Sequence, residues 1–169
     1  MNLPLVNPET VTLFKYSNGG WGYNDSGIFP GEGLADEVTT MGFISIDITS
    51  LASTNLEDAV LTMNCLEIYG DTSAFNKFYI GSLYWGEKRP GIEEYDSAIN
   101  RKIAEYPSSG NGNITCDNPV LKEEIQKAIN QGKSRFQLKV YFSGSNINDQ
   151  RDGRYYSKSD IILAVKYSK

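Results

Sequence analysis

A chain of 169 residues, 40% of them hydrophobic, is long enough to bury a core and too apolar to be disordered. Sixteen basic against 21 acidic side chains, with no basic tract among the aromatics, leave no electrostatic footprint for a nucleic-acid partner. Histidine is absent, which removes the commonest general base, the commonest zinc ligand and every Ser-His or Cys-His nucleophile pair.

The N-terminal stretch Met1–Val6 has neither a basic region nor a long apolar run, so it does not read as a signal peptide. Nothing in the sequence approaches a membrane span. Val11–Tyr16 reads as a first strand, followed by a Gly-rich aromatic loop from Asn18 to Gly27 that carries Trp21 and Tyr23. In Met41–Ile48, Ile44, Ile46 and Ile48 alternate with Ser45 and Asp47, the period-two pattern of a half-buried strand. Ala59–Tyr69 reads as the next strand, with Leu61, Met63 and Cys65 on one side. Phe78–Trp85 follows, and its Gly81 suggests a bulge.

Between Ile92 and Tyr106 the apolar residues Ile92, Tyr95, Ile99, Ile103 and Tyr106 recur at three and four, which suggests a second short helix near 92–105. A stronger helix is expected over 119–131. Asn118 suits its N-cap, Pro119 its first turn and Gly132 its exit, while Leu121, Ile125, Ala128 and Ile129 form one stripe. Phe136–Phe142 alternates cleanly, as a strand does. Asp160–Tyr167 is apolar on both faces, as a central strand would be, and a long polar loop or hairpin separates the two. Many short strands with one or two helices predict one all-β domain, an antiparallel β-sandwich of jelly-roll type spanning residues 1–169.

Several segments carry a family resemblance. Ile46-Asp47-Ile48-Thr49-Ser50-Leu51 precedes Leu56–Met63, and Trp85-Gly86-Glu87 follows. A helix from Asn118 to Ile129, then Arg135–Leu138, Tyr155-Tyr156-Ser157 and Ile161–Tyr167 complete the order. This arrangement resembles the DNRLRE-type jelly rolls, a carbohydrate-binding-module-like fold, over about residues 40–169. The naming motif itself is missing, and Glu94-Tyr95-Asp96-Ser97 stands where the family has a Thr-Trp-Asn-like segment. The resemblance implies the fold; such domains decorate surface proteins, fibres and polysaccharide-acting enzymes alike.

Candidate binding residues are the aromatics Trp21, Tyr23, Tyr155 and Tyr156, whose rings suit stacking on a sugar. Asn148–Gly153 looks loosely like a calcium loop, which makes Asp149 and Asp152 candidate ligands of a structural calcium ion. The twelfth position is Ser159 rather than Glu, so an EF-hand fails and a polar turn is the alternative. Cys65 and Cys116 read either as two small buried hydrophobes or as one disulfide. Glu93, Glu94 and Asp96 are close in sequence, but acid–base catalysis needs carboxyls held across a substrate. No Gly-x-Ser-x-Gly or Ser-x-x-Lys appears, and Gly31-x-Gly33 lacks the rest of a nucleotide loop. The expectation is therefore a non-catalytic structural protein of an extracellular or virion surface, held to other protein subunits. A polysaccharide-binding module is the alternative, and a carboxylate hydrolase a distant third.

Overall fold

The computed structural model describes residues 1–33, 38–145 and 150–168. In chain order the first strands are β1 (Asn2–Leu3), β2 (Val11–Lys15), β3 (Trp21–Asn24), β4 (Gly27–Ile28) and β5 (Gly31–Glu32). They are followed by β6 (Thr39–Asp47), β7 (Asn55–Met63), β8 (Glu67–Tyr69) and β9 (Lys77–Ser82). Next come α1 (Ile92–Asp96), β10 (Arg101–Pro107), β11 (Ile114–Cys116) and α2 (Pro119–Asn130). The last strands are β12 (Arg135–Ser143), β13 (Asp152–Ser157) and β14 (Ile161–Ser168).

These strands form an antiparallel β-sandwich. The smaller sheet runs β1-β14-β7-β11, and the larger runs β10-β9-β12-β6-β5-β13-β4. β2 joins the larger sheet along β6 and carries β3 beyond it, while β8 adds to β13. The chain passes repeatedly from sheet to sheet (β6 to β7, β10 to β11, β11 to β12 and β13 to β14), the winding expected of a jelly roll.

Alternation in the sequence builds the core directly. Ile44 and Ile46 of β6, Phe136, Leu138 and Val140 of β12, and Phe78 and Ile80 of β9 face inward from the larger sheet. Ala59, Leu61 and Met63 of β7, with Ile161, Leu163 and Val165 of β14, meet them from the smaller sheet. Each of these Ile, Leu, Val, Met and Phe side chains stabilises the fold by about 1.5–3 kcal/mol through burial. β14 lies centrally, between β1 and β7, as its two apolar faces require.

The helix α2 forms where its stripe predicts. Asn118 Oδ1 accepts the Leu121 N–H at 3.0 Å, and Leu121, Ile125, Ala128 and Ile129 join the core. Gly132 ends it at φ +67°, a left-handed conformation that glycine adopts without strain.

The expected helix near 92–105 is corrected. Only Ile92–Asp96 is helical, and Arg101–Pro107 is a strand paired with β9. Ile103 packs into the core from that strand, so its helical spacing from Ile99 is incidental. Gly81 lies beside the expected irregularity, but the register shift falls in β10, between Lys102 and Ala104. A Cβ on Gly81 would come within 2.5 Å of the Ile99 side chain, which explains the glycine. The expected strand Ala59–Tyr69 is two strands, interrupted over residues 64–66.

The larger sheet also buries much of its outer face. Val11, Leu13 and Phe43 pack there under Leu83, Trp85 and Tyr95, which lie on the segment between β9 and β10. Polar side chains on the same face are covered too. Lys139 is buried and donates to the carbonyl oxygens of Glu94, Tyr95 and Ser97 at 3.3, 2.5 and 2.8 Å. It thereby caps the carboxyl end of α1, where orphan carbonyls favour a cation. Beside it Glu9 accepts Ser45 Oγ at 2.6 Å and faces Arg135 at 3.2 Å, and Gln137 donates to Gly86 O at 2.8 Å. β12 is therefore covered on both faces over most of its length.

Candidate binding cleft

The β2–β3 hairpin has two faces, and its register decides which side chains share one. Lys15 pairs with Trp21 and Leu13 with Tyr23, so these lie on the outer face with Leu13. Trp21 and Tyr23 remain 46% and 47% exposed. The Arg89 guanidinium lies 4.0 Å from the Tyr23 ring centroid and is held by Asp25 at 3.1 Å. One face of Tyr23 is thus covered, and Trp21 presents the more open ring.

The opposite face carries Phe14, opposite Gly22, and Thr12, opposite Asn24. A Cβ on Gly22 would strike the Phe14 ring at 2.5 Å, so glycine lets that ring lie across the hairpin. Here a cleft of about 270 Å³ opens between the hairpin and β13. Its walls include Phe14, Tyr16, Phe29 and Tyr155. Tyr155 donates its hydroxyl to Ser26 O at 3.0 Å. Gly27 admits the ring, since a Cβ there would lie 2.7 Å from Tyr155 Cε2.

The polar groups of the cleft are unequally engaged. Thr12 Oγ1 donates to Gly27 O at 2.9 Å and accepts the Phe29 N–H at 2.8 Å. Asn24 Oδ1 accepts from Ser26 N at 2.7 Å and Ser26 Oγ at 2.6 Å. Thr40 is only 8% exposed, and its Oγ1 finds no hydrogen-bond partner among the described residues. The Arg151 guanidinium stacks 4.3 Å from the Phe29 centroid and 4.1 Å from that of Tyr69.

The sequence-named aromatics are therefore not one site. Trp21 and Tyr23 share the outer face, Tyr155 lines the cleft, and Tyr156 is buried in the core. Tyr156 is corrected from ligand to structural residue: it is fully buried and its hydroxyl donates to Gly112 O at 2.7 Å. Burial pushes its phenol far above the usual range. Arg154 helps it anchor the loop after β10, donating to the carbonyls of Pro107, Ser108 and Ser109 at 3.1, 2.7 and 3.0 Å.

Asp149 lies outside the described residues. Asp152 is fully buried, and its Oδ1 accepts the Asp71 N–H at 2.5 Å. Among the described residues no group of three His, Cys, Asp or Glu side chains is arranged to hold a metal ion. Cys65 and Cys116 form no disulfide in this structure; Cys65 donates to Glu67 O at 3.3 Å and Cys116 belongs to the core. Burial raises both thiols, which keeps them protonated and weakly nucleophilic near neutral pH.

The carboxylates near α1 serve structure. Glu94 accepts the Gly91 N–H at 2.7 Å and pairs with Lys88 at 2.9 Å, while Asp96 pairs with Lys15 at 2.6 Å. Sequence reasoning missed Thr40, Phe29 and Arg151, each from a different segment. Their only signal was a threonine, an aromatic and a basic residue flanking turns, which many surfaces share. No helix among the described residues is long and apolar enough to cross a membrane. No protein-family model matches the chain, and no curated protein matches its sequence.

Proposed function

We propose that this chain is a non-catalytic module of a surface or assembled structure, held by contact with another protein subunit. The observation that carries this reading is the edge strand β3. Among the described residues it pairs only with β2, and it presents Trp21 and Tyr23 to solvent. Unpaired strand edges accept a further strand, and neighbouring exposed aromatics add contact area. The ionisable groups support the same reading, because Lys139, Glu9, Arg135, Glu94 and Arg154 are all engaged in internal contacts.

Native mass measurement, with electron microscopy of the native surface or particle, tests the proposal. The wild type is expected to associate, and Tyr23→Pro, which removes a backbone donor from β3, to remain a folded monomer. A wild-type chain that neither self-associates nor joins a native particle overturns it.

The open ring of Trp21 favours a second reading, contact with a polysaccharide at the outer face of the hairpin. A glycan array on the wild type, Trp21→Ala and, as the control on the opposite face, Tyr155→Ala separates the two. A wild type without saccharide signal removes this second reading.

A further inference from the structure

We propose that the inner-face cleft of the β2–β3 hairpin binds an aromatic carboxylate, its ring held by Phe14, Phe29 and Tyr155 and its acid group by Arg151 and Thr40. The site lies across the hairpin from Trp21 and Tyr23, so its failure would leave the edge-strand reading untouched.

Thr40 is the first indication of an occupant. Its hydroxyl is more than nine-tenths buried, lines the cleft and is unpartnered among the described residues. Buried polar atoms are almost always hydrogen-bonded, and one left unmatched beside an open cleft marks a place where a ligand atom completes the bond. A wholly apolar occupant would leave it unmatched still.

The balance of donors and acceptors then selects the chemistry. The Thr12 hydroxyl is engaged as both donor and acceptor, and Asn24 Oδ1 already accepts two bonds. The donors that remain in the lining include the Asn24 amide N–H groups, the Thr40 hydroxyl and the Arg151 guanidinium, the one charged group among them. No Asp or Glu lines the cleft among the described residues. A polyol carries no charge to match the Arg151 guanidinium. A cation would be repelled by Arg151, which no carboxylate offsets among the described residues of the lining. A carboxylate brings acceptors only and fits the guanidinium fork.

Size and shape select the rest. A cleft of about 270 Å³ is smaller than sites for drug-sized ligands, which run to roughly 300–1,000 Å³. It has room for one ring and its acid group. Phe14 and Tyr16, both in the lining, meet edge-on at 85°, so that wall offers a face and an edge to a planar ring. A single guanidinium matches one negative charge, which favours a carboxylate over a phosphate dianion. A free aromatic acid and the last residue of a polypeptide ending in Phe, Tyr or Trp both carry this group.

The test is an amide NMR titration of the full chain with N-acetyl-L-tyrosine, N-acetyl-L-tyrosinamide, glucose, and a Gly-Gly-Gly-Tyr peptide with a free or amidated terminus. Saturable shifts of the Thr40, Arg151 and Tyr155 amides are expected with the acids, and binding of the matching amides is expected to be weaker by about tenfold or more. Arg151→Gln should weaken acid binding by about tenfold and Thr40→Val by about threefold, with Trp21→Ala unchanged. Tighter binding of the peptide acid assigns the source to a chain terminus, and tighter binding of N-acetyl-L-tyrosine to a free acid; both support the site. Absence of shifts in these amides up to about 10 mM acid overturns it, as does equal binding of acid and amide, or a preference for glucose at the cleft. Arg151 is exposed, so its variant should fold, and the dispersion of the amide spectrum verifies this for both variants.

Discussion

Replacing Lys139 with methionine removes the ammonium that holds the segment between β9 and β10 onto the outer face of the larger sheet. Two of its bonds are short, to Tyr95 O at 2.5 Å and Ser97 O at 2.8 Å, and the third, to Glu94 O, is long at 3.3 Å. Bonds from a charged donor contribute about 1.5–3 kcal/mol each, so losing the two short ones costs about 3–6 kcal/mol. The charge itself is a burden: burial pulls the amine from its ordinary 10.5 down to about 8, with Asp96 opposing that fall. At about 1.4 kcal/mol per pH unit this corresponds to roughly 3 kcal/mol against the charged form, which methionine relieves. The variant is therefore expected to be less stable than the wild type by about 0–3 kcal/mol near neutral pH.

The pH dependence separates the two effects. Below pH 8 the lysine is protonated in both states, and the burial penalty is fully present. Between about 8 and 10.5 the unfolded chain binds more protons than the folded one, so wild-type stability rises with pH relative to the variant. Urea unfolding of both proteins across this range should show the gap widening by up to about 3 kcal/mol. Hydrogen exchange of the amides over 91–99 should show local opening in the variant. A gap that narrows as pH rises would refute the reasoning, because it would mean that the three carbonyls hold the ammonium above its solution pKa.

At acid pH the dependence has a different source. Burial alone would raise the Glu94 carboxyl, but Lys88 and the Gly91 N–H outweigh it and hold the group below its usual range. Its stabilisation is present above about pH 4.5 and is lost as pH falls through the lower folded value, so Glu94→Gln should flatten the acid side of the melting profile. Asn118→Ala should cost α2 its cap and the protein about 1 kcal/mol in urea unfolding, with no measurable loss counting against the capping geometry. Gly42→Ala would place a Cβ 2.2 Å from Ile28 Cγ2 and 2.5 Å from Val140 Cγ2, and should destabilise by about 1–3 kcal/mol. Thr40→Val removes an unmatched buried hydroxyl while keeping its shape, so the melting temperature of the unliganded protein should rise, reflecting about 1 kcal/mol.

The alternation at Ile44-Ser45-Ile46, the cap-and-stripe pattern of Asn118–Gly132 and the doubly apolar run at Ile161–Tyr167 report local geometry, and each formed the element it specifies. Even Tyr155 and Tyr156 were separable in principle, since neighbours on a strand point to opposite faces. The spacing at Ile99, Ile103 and Tyr106 misled because a helical period also arises by chance in a strand that pairs with β9.

Two outcomes required the assembled fold. Gln137 and Lys139 carry the pattern of solvent-facing residues, yet they bond to Gly86 and Ser97, 51 and 42 residues earlier in the chain. Thr40, Phe29, Arg151 and Tyr155 meet only when β4, β6 and β13 come together at one end of the sandwich. Period and capping depend on residues within a few positions of each other, so the amino-acid order determines them alone. Burial of a polar face and convergence of a cleft depend on which distant segments pack together, and that is decided by the tertiary structure.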